Sequence, residues 1–237
     1  MANVKNVKNV KNVKNEQNAE SFTKGEAFFL KYKKAIIGAV IALILIIGGV
    51  ALLKNLYFQP RENAASTELA KCQELFANEQ YADALNGNKN GVAGFLKVAS
   101  DYSSTKAGNL ANLYAGLCYA NLDKWQEAAN AIESYSSKDD QMISPAAMAA
   151  LGNVYAHLKQ YDKAVDCLKK AASMADSKAP NGLSMAETPY FLLQAGEILE
   201  AQNKKDEALK IYQDIKTKYI NSAVSVEVEK YILRLSE

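Results

Sequence analysis

The sequence is poor in the residues that bind metals, serve as catalytic bases or break helices. Its 237 residues include one histidine, three cysteines and four prolines. A single histidine excludes a cage of several histidines around a metal, and no motif marks this histidine as the base of a Ser-His-acid triad. The GxxxxGKS/T, GxSxG and HExxH motifs are also absent. We therefore predict a protein that is not an enzyme and that has no cofactor and no metal site.

The excess of basic residues is confined to the N-terminal tail. Residues 1–34 contain eight lysines against three glutamates, a net charge of +5, whereas residues 55–237 contain 19 basic and 23 acidic side chains. Because the C-terminal region has no cationic surplus, we predict no nucleic-acid partner. Its paired acids, such as Asp139-Asp140 and Asp206-Glu207, lie at turns or helix starts, where carboxylates stabilise the helix dipole.

One apolar run, residues 35–53, contains nineteen residues without a polar side chain. At about 1.5 Å per residue it would span roughly 28 Å, so we predict a transmembrane helix. Lys31, Lys33 and Lys34 precede it, and the positive-inside rule places residues 1–34 in the cytoplasm and the C-terminal region outside. The alternative is a signal peptide cleaved near Ala51. The long preceding segment favours an uncleaved anchor.

The segments on either side of this run have no globular pattern. Residues 3–14 are four Asn-Val-Lys triplets, a period that fits neither a helix face nor a strand face. We predict a disordered cytoplasmic tail, with lysine-mediated attachment to anionic lipids as the alternative. Residues 54–62 are predicted to be a linker, with Tyr57 and Phe58 at the outer membrane interface.

The C-terminal region repeats one skeleton of small and larger residues. Its three copies are Ala115-Gly116, Tyr119 and Ala128; Leu151-Gly152, Tyr155 and Ala164; and Ala195-Gly196, Leu199 and Ala208. The Gly-to-Ala distance is 12 residues in each copy, and the glycines are 36 and 44 residues apart. A period of this size indicates stacked supersecondary units rather than one globular core.

Most of the chain after residue 62 has the pattern of helices with short interruptions. We predict helices at about 63–79, 91–102, 106–121, 124–136, 145–158, 161–175, 189–202, 204–218 and 222–235. Ser144 and Thr188 each precede a proline, which predicts two capped helix starts. A breaker cluster at 86–91 and a loop at 176–188 interrupt the pattern.

The skeleton resembles the tetratricopeptide repeat, in which a small residue lets two helices approach and an alanine lies at their crossing. Residues 63–102 resemble a degenerate further unit through Tyr81, Ala84 and Leu85. The resemblance implies an all-α fold: a single transmembrane helix, then an α-solenoid over residues 63–237 with about four hairpins and a C-terminal helix. Cys72, Cys118 and Cys167 would lie in these helices as buried thiols. A disulfide between Cys118 and Cys167 is the alternative.

The whole arrangement resembles the YfgM-like family of ancillary subunits of the SecYEG translocon. That resemblance implies a single-pass protein of the bacterial inner membrane, with its N-terminus in the cytoplasm and its repeats in the periplasm. It also implies a protein-binding scaffold whose partners are the SecYEG translocon and periplasmic folding factors. Two alternatives are a general adapter for outer-membrane or cell-wall assembly and a structural homo-oligomer.

Solenoids of this kind bind extended segments along the inner faces of their first helices. By register, the candidate groove residues are Leu110, Leu113, Leu117, Asn153, His157, Tyr190, Leu193, Glu197 and Glu200. Repeat proteins that bind chaperone tails hold a terminal carboxylate with a Lys and Asn clamp. Here Leu113 and Leu117 occupy clamp places and only Asn153 matches, so we expect no clamp and an apolar, partly acidic groove. Alternatively, some of these leucines pack against the preceding hairpin.

Overall fold

The computed structural model describes the backbone of residues 3–236 and the side chains of residue 26 and residues 28–236. All regular secondary structure in this part of the chain is helical, as predicted. The chain divides into two compact units, one ending at Gln59 and the other beginning at Pro60.

The first unit contains helix α1 (Asn3–Leu53) and a short π-helix (Lys54–Phe58). Within α1 lies the one segment, among the described residues, that is long and apolar enough to cross a membrane. Its best window has a mean hydropathy of 3.0, and none of that window is buried. The tail from Asn3 onward, predicted to be disordered, is helical instead. The tail continues the helix of the apolar run, and extending an existing helix avoids the unfavourable nucleation step. The three-residue period of the tail gives no information about this effect.

The predicted linker, residues 54–62, is helical as well. The N–H of Gln59 bonds to the carbonyl of Lys54, five residues earlier, which is the π-helical spacing. Pro60 follows directly and has no N–H to donate, and its ring would crowd the carbonyl four residues earlier in a regular α-helix. A wider turn before the proline relieves that crowding.

The second unit is a series of helical hairpins. Its helices are α2 (Gln59–Ala77), α3 (Tyr81–Asn86), α4 (Phe95–Asp101), α5 (Lys106–Asn121), α6 (Trp125–Glu133), α7 (Ile143–His157), α8 (Tyr161–Lys178), α9 (Thr188–Ala201), α10 (Lys205–Lys218), α11 (Ala223–Glu227) and α12 (Glu229–Ser236). The predicted interruptions at 86–91 and 176–188 both contain non-helical residues, the first between α3 and α4 and the second before α9. The helix α3 was not predicted.

The same turn joins the two helices of each of four hairpins. Its left-handed residues are Glu79, Asp123, Lys159 and Asn203, with φ of 59°, 57°, 59° and 60°. In each turn the next N–H bonds to a carbonyl five residues earlier, as from Gln80 to Leu75 and from Lys204 to Leu199. This is the Schellman pattern that ends an α-helix. The first hairpin, α2 with α3, therefore follows the same plan as the other three.

The repeat glycines lie where the two helices of a hairpin approach closely. A Cβ added to Gly116, Gly152 or Gly196 would lie 2.4 Å from Ile132, 2.9 Å from Leu168 or 2.3 Å from Tyr212, respectively. In the first hairpin Cys72 occupies the corresponding place, 12 residues before Ala84, and both side chains are fully buried. The sequence analysis identified this copy only as a degenerate unit, because a cysteine replaces the glycine.

The two predicted caps at Ser144 and Thr188 were wrong, because α7 begins at Ile143 and α9 at Thr188. The Asp140 carboxylate caps α7 instead and accepts from the N–H groups of Met142, Ile143 and Ser144. The Ser144 and Thr188 side chains are buried, and their hydroxyls donate hydrogen bonds to the carboxylates of Asp140 and Asp176, respectively. Thr105 and Ser222 do cap helices: their side chains accept hydrogen bonds from the backbone N–H groups of Gly108 and Ser225, respectively.

The three cysteines are free thiols. Cys72 and Cys118 lie together in the hydrophobic cluster formed by α2 to α5, whereas Cys167 packs against the cluster of α6 and α7. The alternative of a disulfide between Cys118 and Cys167 is therefore not realised. Burial raises the pKa of the Cys118 thiol to about 12 and also raises the pKa of Cys72 and Cys167.

Candidate protein-binding groove

An apolar groove of about 500 Å³ lies between α5 and α7. One wall comes from α5 through Leu110, Leu113, Tyr114 and Leu117. These positions are three or four residues apart, so they share one face of the helix. The volume is within the range of roughly 300–1,000 Å³ that is usual for ligand pockets.

The facing wall comes from α7 and its N-terminal turn. It is built from Met142, Ile143, Ala146, Ala147 and Ala150. Three alanines leave space that larger side chains would fill. Met142 and Ile143 are 68% and 44% exposed at the rim. Exposed apolar side chains beside an open apolar space are typical of an interaction site.

Phe76 and Glu187 complete the lining of the groove. The Phe76 ring meets Tyr114 edge-on with 5.3 Å between centroids, and Tyr114 stacks on Phe95 at 5.1 Å. These aromatic contacts hold the Tyr114 ring in place. Glu187 is half-buried just before α9. Burial raises the pKa of its carboxyl group, and the negative charge of Asp140 raises it further.

Charged residues are scarce along three of the inner helices, α5, α7 and α9. The helix α5 contains only Lys106, α7 contains no Asp, Glu, Lys or Arg, and α9 contains Glu197 and Glu200. The outer helices α8 and α10 are rich in both signs of charge. The groove is therefore apolar, and the one Asp, Glu, Lys or Arg among its lining residues is Glu187.

The structure brings together three of the predicted groove residues. Leu110, Leu113 and Leu117 all line the groove. Leu113 is only 7% exposed and also belongs to the core beneath. Leu110 packs against the cluster of α2 to α5, so the alternative of packing on the preceding hairpin applies to Leu110, whereas Leu113 packs with α6 and α7.

Asn153 and His157 lie on α7 one and two turns beyond the groove, and both are exposed. His157 is exposed as expected, but it is not isolated. Its ring stacks on Trp125 with 3.7 Å between centroids and 4° between planes. This contact joins the end of α7 to the start of α6.

The predicted residues of α9 do not form an open groove, apart from Tyr190, which is exposed. Leu193 is buried in the core. Glu197 accepts a hydrogen bond of 2.7 Å from the Tyr231 hydroxyl, and Glu200 forms an ion pair of 2.6 Å with Arg234. Because Tyr231 and Arg234 belong to α12, both carboxylates are paired with this helix, although Glu197 remains exposed. The repeat register assigns positions within a hairpin and gives no information about the packing of α12 against α9.

Sequence reasoning missed all five residues of the α7 wall and the acidic residue Glu187. Ala150 and Ala146 lie one and two turns before Asn153 on the same face, a spacing that could have identified them. Glu187 had no such signal, since it lies outside the predicted helices. Across the residues with described side chains, no group of three His, Cys, Asp or Glu could hold a metal ion.

Comparison with known proteins identifies the family. A model of the tetratricopeptide repeat-like domain matches residues 26–229. The chain belongs to this family. Tetratricopeptide repeat-like domains generally mediate interactions between proteins, and the fold is typically a non-enzymatic scaffold. A search of curated proteins finds no match.

Two solved structures share the solenoid fold. One is a crystal structure of nearly identical TPR-like repeats of a Podosopora anserina protein described as a kinesin light chain, and the other is its Q17M variant. Each has a TM-score of 0.55 and 12% sequence identity and covers 73% of this chain. The match covers 86% of the first chain and 85% of the second. At this identity the likeness concerns the fold alone.

Proposed function

We propose that this chain is a membrane-anchored, non-enzymatic scaffold that binds a segment of another protein between α5 and α7. The observation that carries the proposal is the apolar groove of about 500 Å³ on the inner helices of the solenoid. Extended segments bind at this place in other solenoids. The described residues also contain no cluster that could serve as a metal site.

The anchor in this proposal is residues 35–53, in the bacterial inner membrane. Its side chains are mostly exposed and apolar, and the lysines at 31, 33 and 34 favour a cytoplasmic N-terminus. The solenoid would then face the periplasm. Protease added to spheroplasts should degrade the solenoid, and a protected solenoid would contradict this topology.

The proposed partners are the secretion translocon and periplasmic folding factors. The support is the resemblance to YfgM-like proteins, which combine a basic cytoplasmic end, one anchor and a short solenoid. A general envelope adapter would share this architecture, so the partners themselves must be identified.

A photoreactive residue at Ala146 would identify them in living cells. Ala146 lines the groove and is exposed, and the matched control is Lys169, an exposed residue of the outer helix α8. We expect crosslinks to translocon subunits or folding factors from Ala146 and not from Lys169. Crosslinks only to outer-membrane or cell-wall assembly proteins would support the adapter. Crosslinks between copies of this chain alone would support a homo-oligomer, and no crosslinks from Ala146 would contradict the scaffold.

A further inference from the structure

Glu187 is an uncompensated acidic group at the edge of the groove. Its backbone N–H bonds to the Ser184 hydroxyl, but its carboxylate has no hydrogen bond or ion pair among the residues with described side chains. The charge that acts on it most is another carboxylate, that of Asp140. A buried or half-buried charge without a partner is unfavourable. A cation placed here would be stabilised.

Asp140 is negatively charged, so it cannot neutralise Glu187, and its own oxygens are already used as hydrogen-bond acceptors. Its oxygens accept three backbone N–H bonds and one bond from the Ser144 hydroxyl. The neighbouring Asp139 pairs with Lys178. Glu187 is therefore the acceptor that remains free beside the apolar surface of Met142, Ile143 and Ala146.

We propose that the groove binds an unfolded protein segment in which a lysine or arginine adjoins bulky apolar residues, with the cation at Glu187. This inference rests on the proposed function and specifies the chemistry of the bound segment. The apolar side chains would fill the space between Leu117 and Ala150. The basic side chain would extend along the rim, because long cationic side chains bury their stems and keep their charge near the surface.

The acidic rim also excludes a different class of ligand. A terminal carboxylate or an acidic segment would be repelled by Glu187 and Asp140, and no lysine or arginine lines the groove. Like charges in such positions suppress the wrong partners. Selectivity for cationic segments is thus the property to measure.

The test uses the full chain in nanodiscs of phosphatidylcholine, whose neutral headgroups do not attract lysine. Three fluorescent peptides with blocked termini share the sequence Leu-Ser-Phe-Ser-Leu and end in Lys, Gln or Glu. Anisotropy titrations should give about three- to tenfold tighter binding for the Lys peptide than for the Gln peptide, and the Glu peptide should bind most weakly. Empty nanodiscs give the background.

Variants of Glu187 assign the preference to this residue. Glu187→Gln should make the Lys and Gln peptides equal, and Glu187→Lys should reverse the order so that the Glu peptide binds best. Glu127→Gln, which removes an exposed acid from the outer helix α6, should keep the original order. Ala146→Trp should weaken all three peptides by filling the groove, with circular dichroism checking that the variant folds.

Equal affinities of the three peptides for the unmodified chain would overturn the inference. An order that Glu187→Gln leaves unchanged would also overturn it. Neither result would contradict the scaffold, which depends on the crosslinks from Ala146. If no peptide binds and Ala146→Trp instead separates oligomers of the chain, the groove holds a second copy and the inference fails.

Discussion

Tyr219 donates a hydrogen bond of 2.6 Å to Oδ2 of Asp176, a residue 43 positions earlier in the chain. The other oxygen of Asp176 accepts from the N–H of Ser184 at 2.8 Å and from the Thr188 hydroxyl at 2.7 Å. One carboxylate therefore joins α8, the loop at 179–187, the start of α9 and the end of α10. Because that loop ends at Glu187, Asp176 also positions the acidic rim of the groove.

Replacing Asp176 should destabilise the C-terminal hairpins. In Asp176→Asn, the amide nitrogen cannot accept a hydrogen bond and the charge is lost, so we expect the free energy of unfolding to fall by about 1.5–3 kcal/mol. Tyr219→Phe should lower it by about 1 kcal/mol. Urea titrations followed by circular dichroism measure both values. Asp166→Asn changes an exposed residue of the same helix and should have an effect within about 0.5 kcal/mol. Equal losses from Asp176 and Asp166 would contradict this role.

The helix crossing at Gly116 gives a second prediction. A Cβ at this position would lie 2.4 Å from Cγ1 of Ile132, so Gly116→Ala should destabilise the solenoid by about 1–3 kcal/mol through overpacking. Ile132→Ala alone should also destabilise, because it empties the same space. The double variant should lose less free energy of unfolding than the sum of the two single variants. Strict additivity in chemical unfolding would show that the two residues do not compete for this space.

The sequence pattern predicted the helices and their crossings well, because small residues at a fixed spacing leave few ways to pack a hairpin. Leu110 and Leu117, which the same register selected, line the groove in the structure. The sequence pattern failed for Glu197 and Glu200, whose surroundings depend on the position of α12, a tertiary feature. It also chose Ser144 over Asp140 as a helix cap. Asp140 lies before α7 and Ser144 is its second residue. Only tertiary packing decides that Ser144 is buried and that Asp140 is the cap.

The Asp140 cap should make stability depend on acid pH. Burial opposes ionisation, but the bonds from the Ser144 hydroxyl and from the N–H groups of Ser144, Ile143 and Met142 together lower the pKa of Asp140 below its ordinary value of 3.8. A group whose pKa is lowered on folding stabilises the protein above its unfolded pKa, and this contribution is lost as the pH falls through the folded pKa. The contribution of Asp140 should therefore be complete at pH 6 and decline below about pH 4.

Unfolding titrations of Asp140→Asn at several pH values test this dependence. At pH 6 the variant should be less stable than the unmodified chain by about 1 kcal/mol, because a neutral amide accepts weaker hydrogen bonds than a carboxylate and its nitrogen cannot accept the bond from the Ser144 hydroxyl. The difference should shrink as the pH falls below about 4. Asp139→Asn is the matched control, since Asp139 is 87% exposed and pairs only with Lys178, and it should change stability by a few tenths of a kcal/mol at most. A constant difference across the pH range would contradict the argument.

The three thiols should react in an order set by burial. Cys72 and Cys118 have no exposed surface, and Cys167 is the half-buried one of the three, all of which lie in the described part of the chain. Because the thiolate is the reactive form and burial raises the pKa of each thiol, labelling of the folded chain by a maleimide at neutral pH should be slow. Mass spectrometry should find the label on Cys167 first, and Cys167→Ser should abolish labelling of the folded chain. Cys72 and Cys118 should react only in denaturant. Labelling of Cys118 as fast as Cys167 without denaturant would mean that the contact of α2 with α5 opens readily.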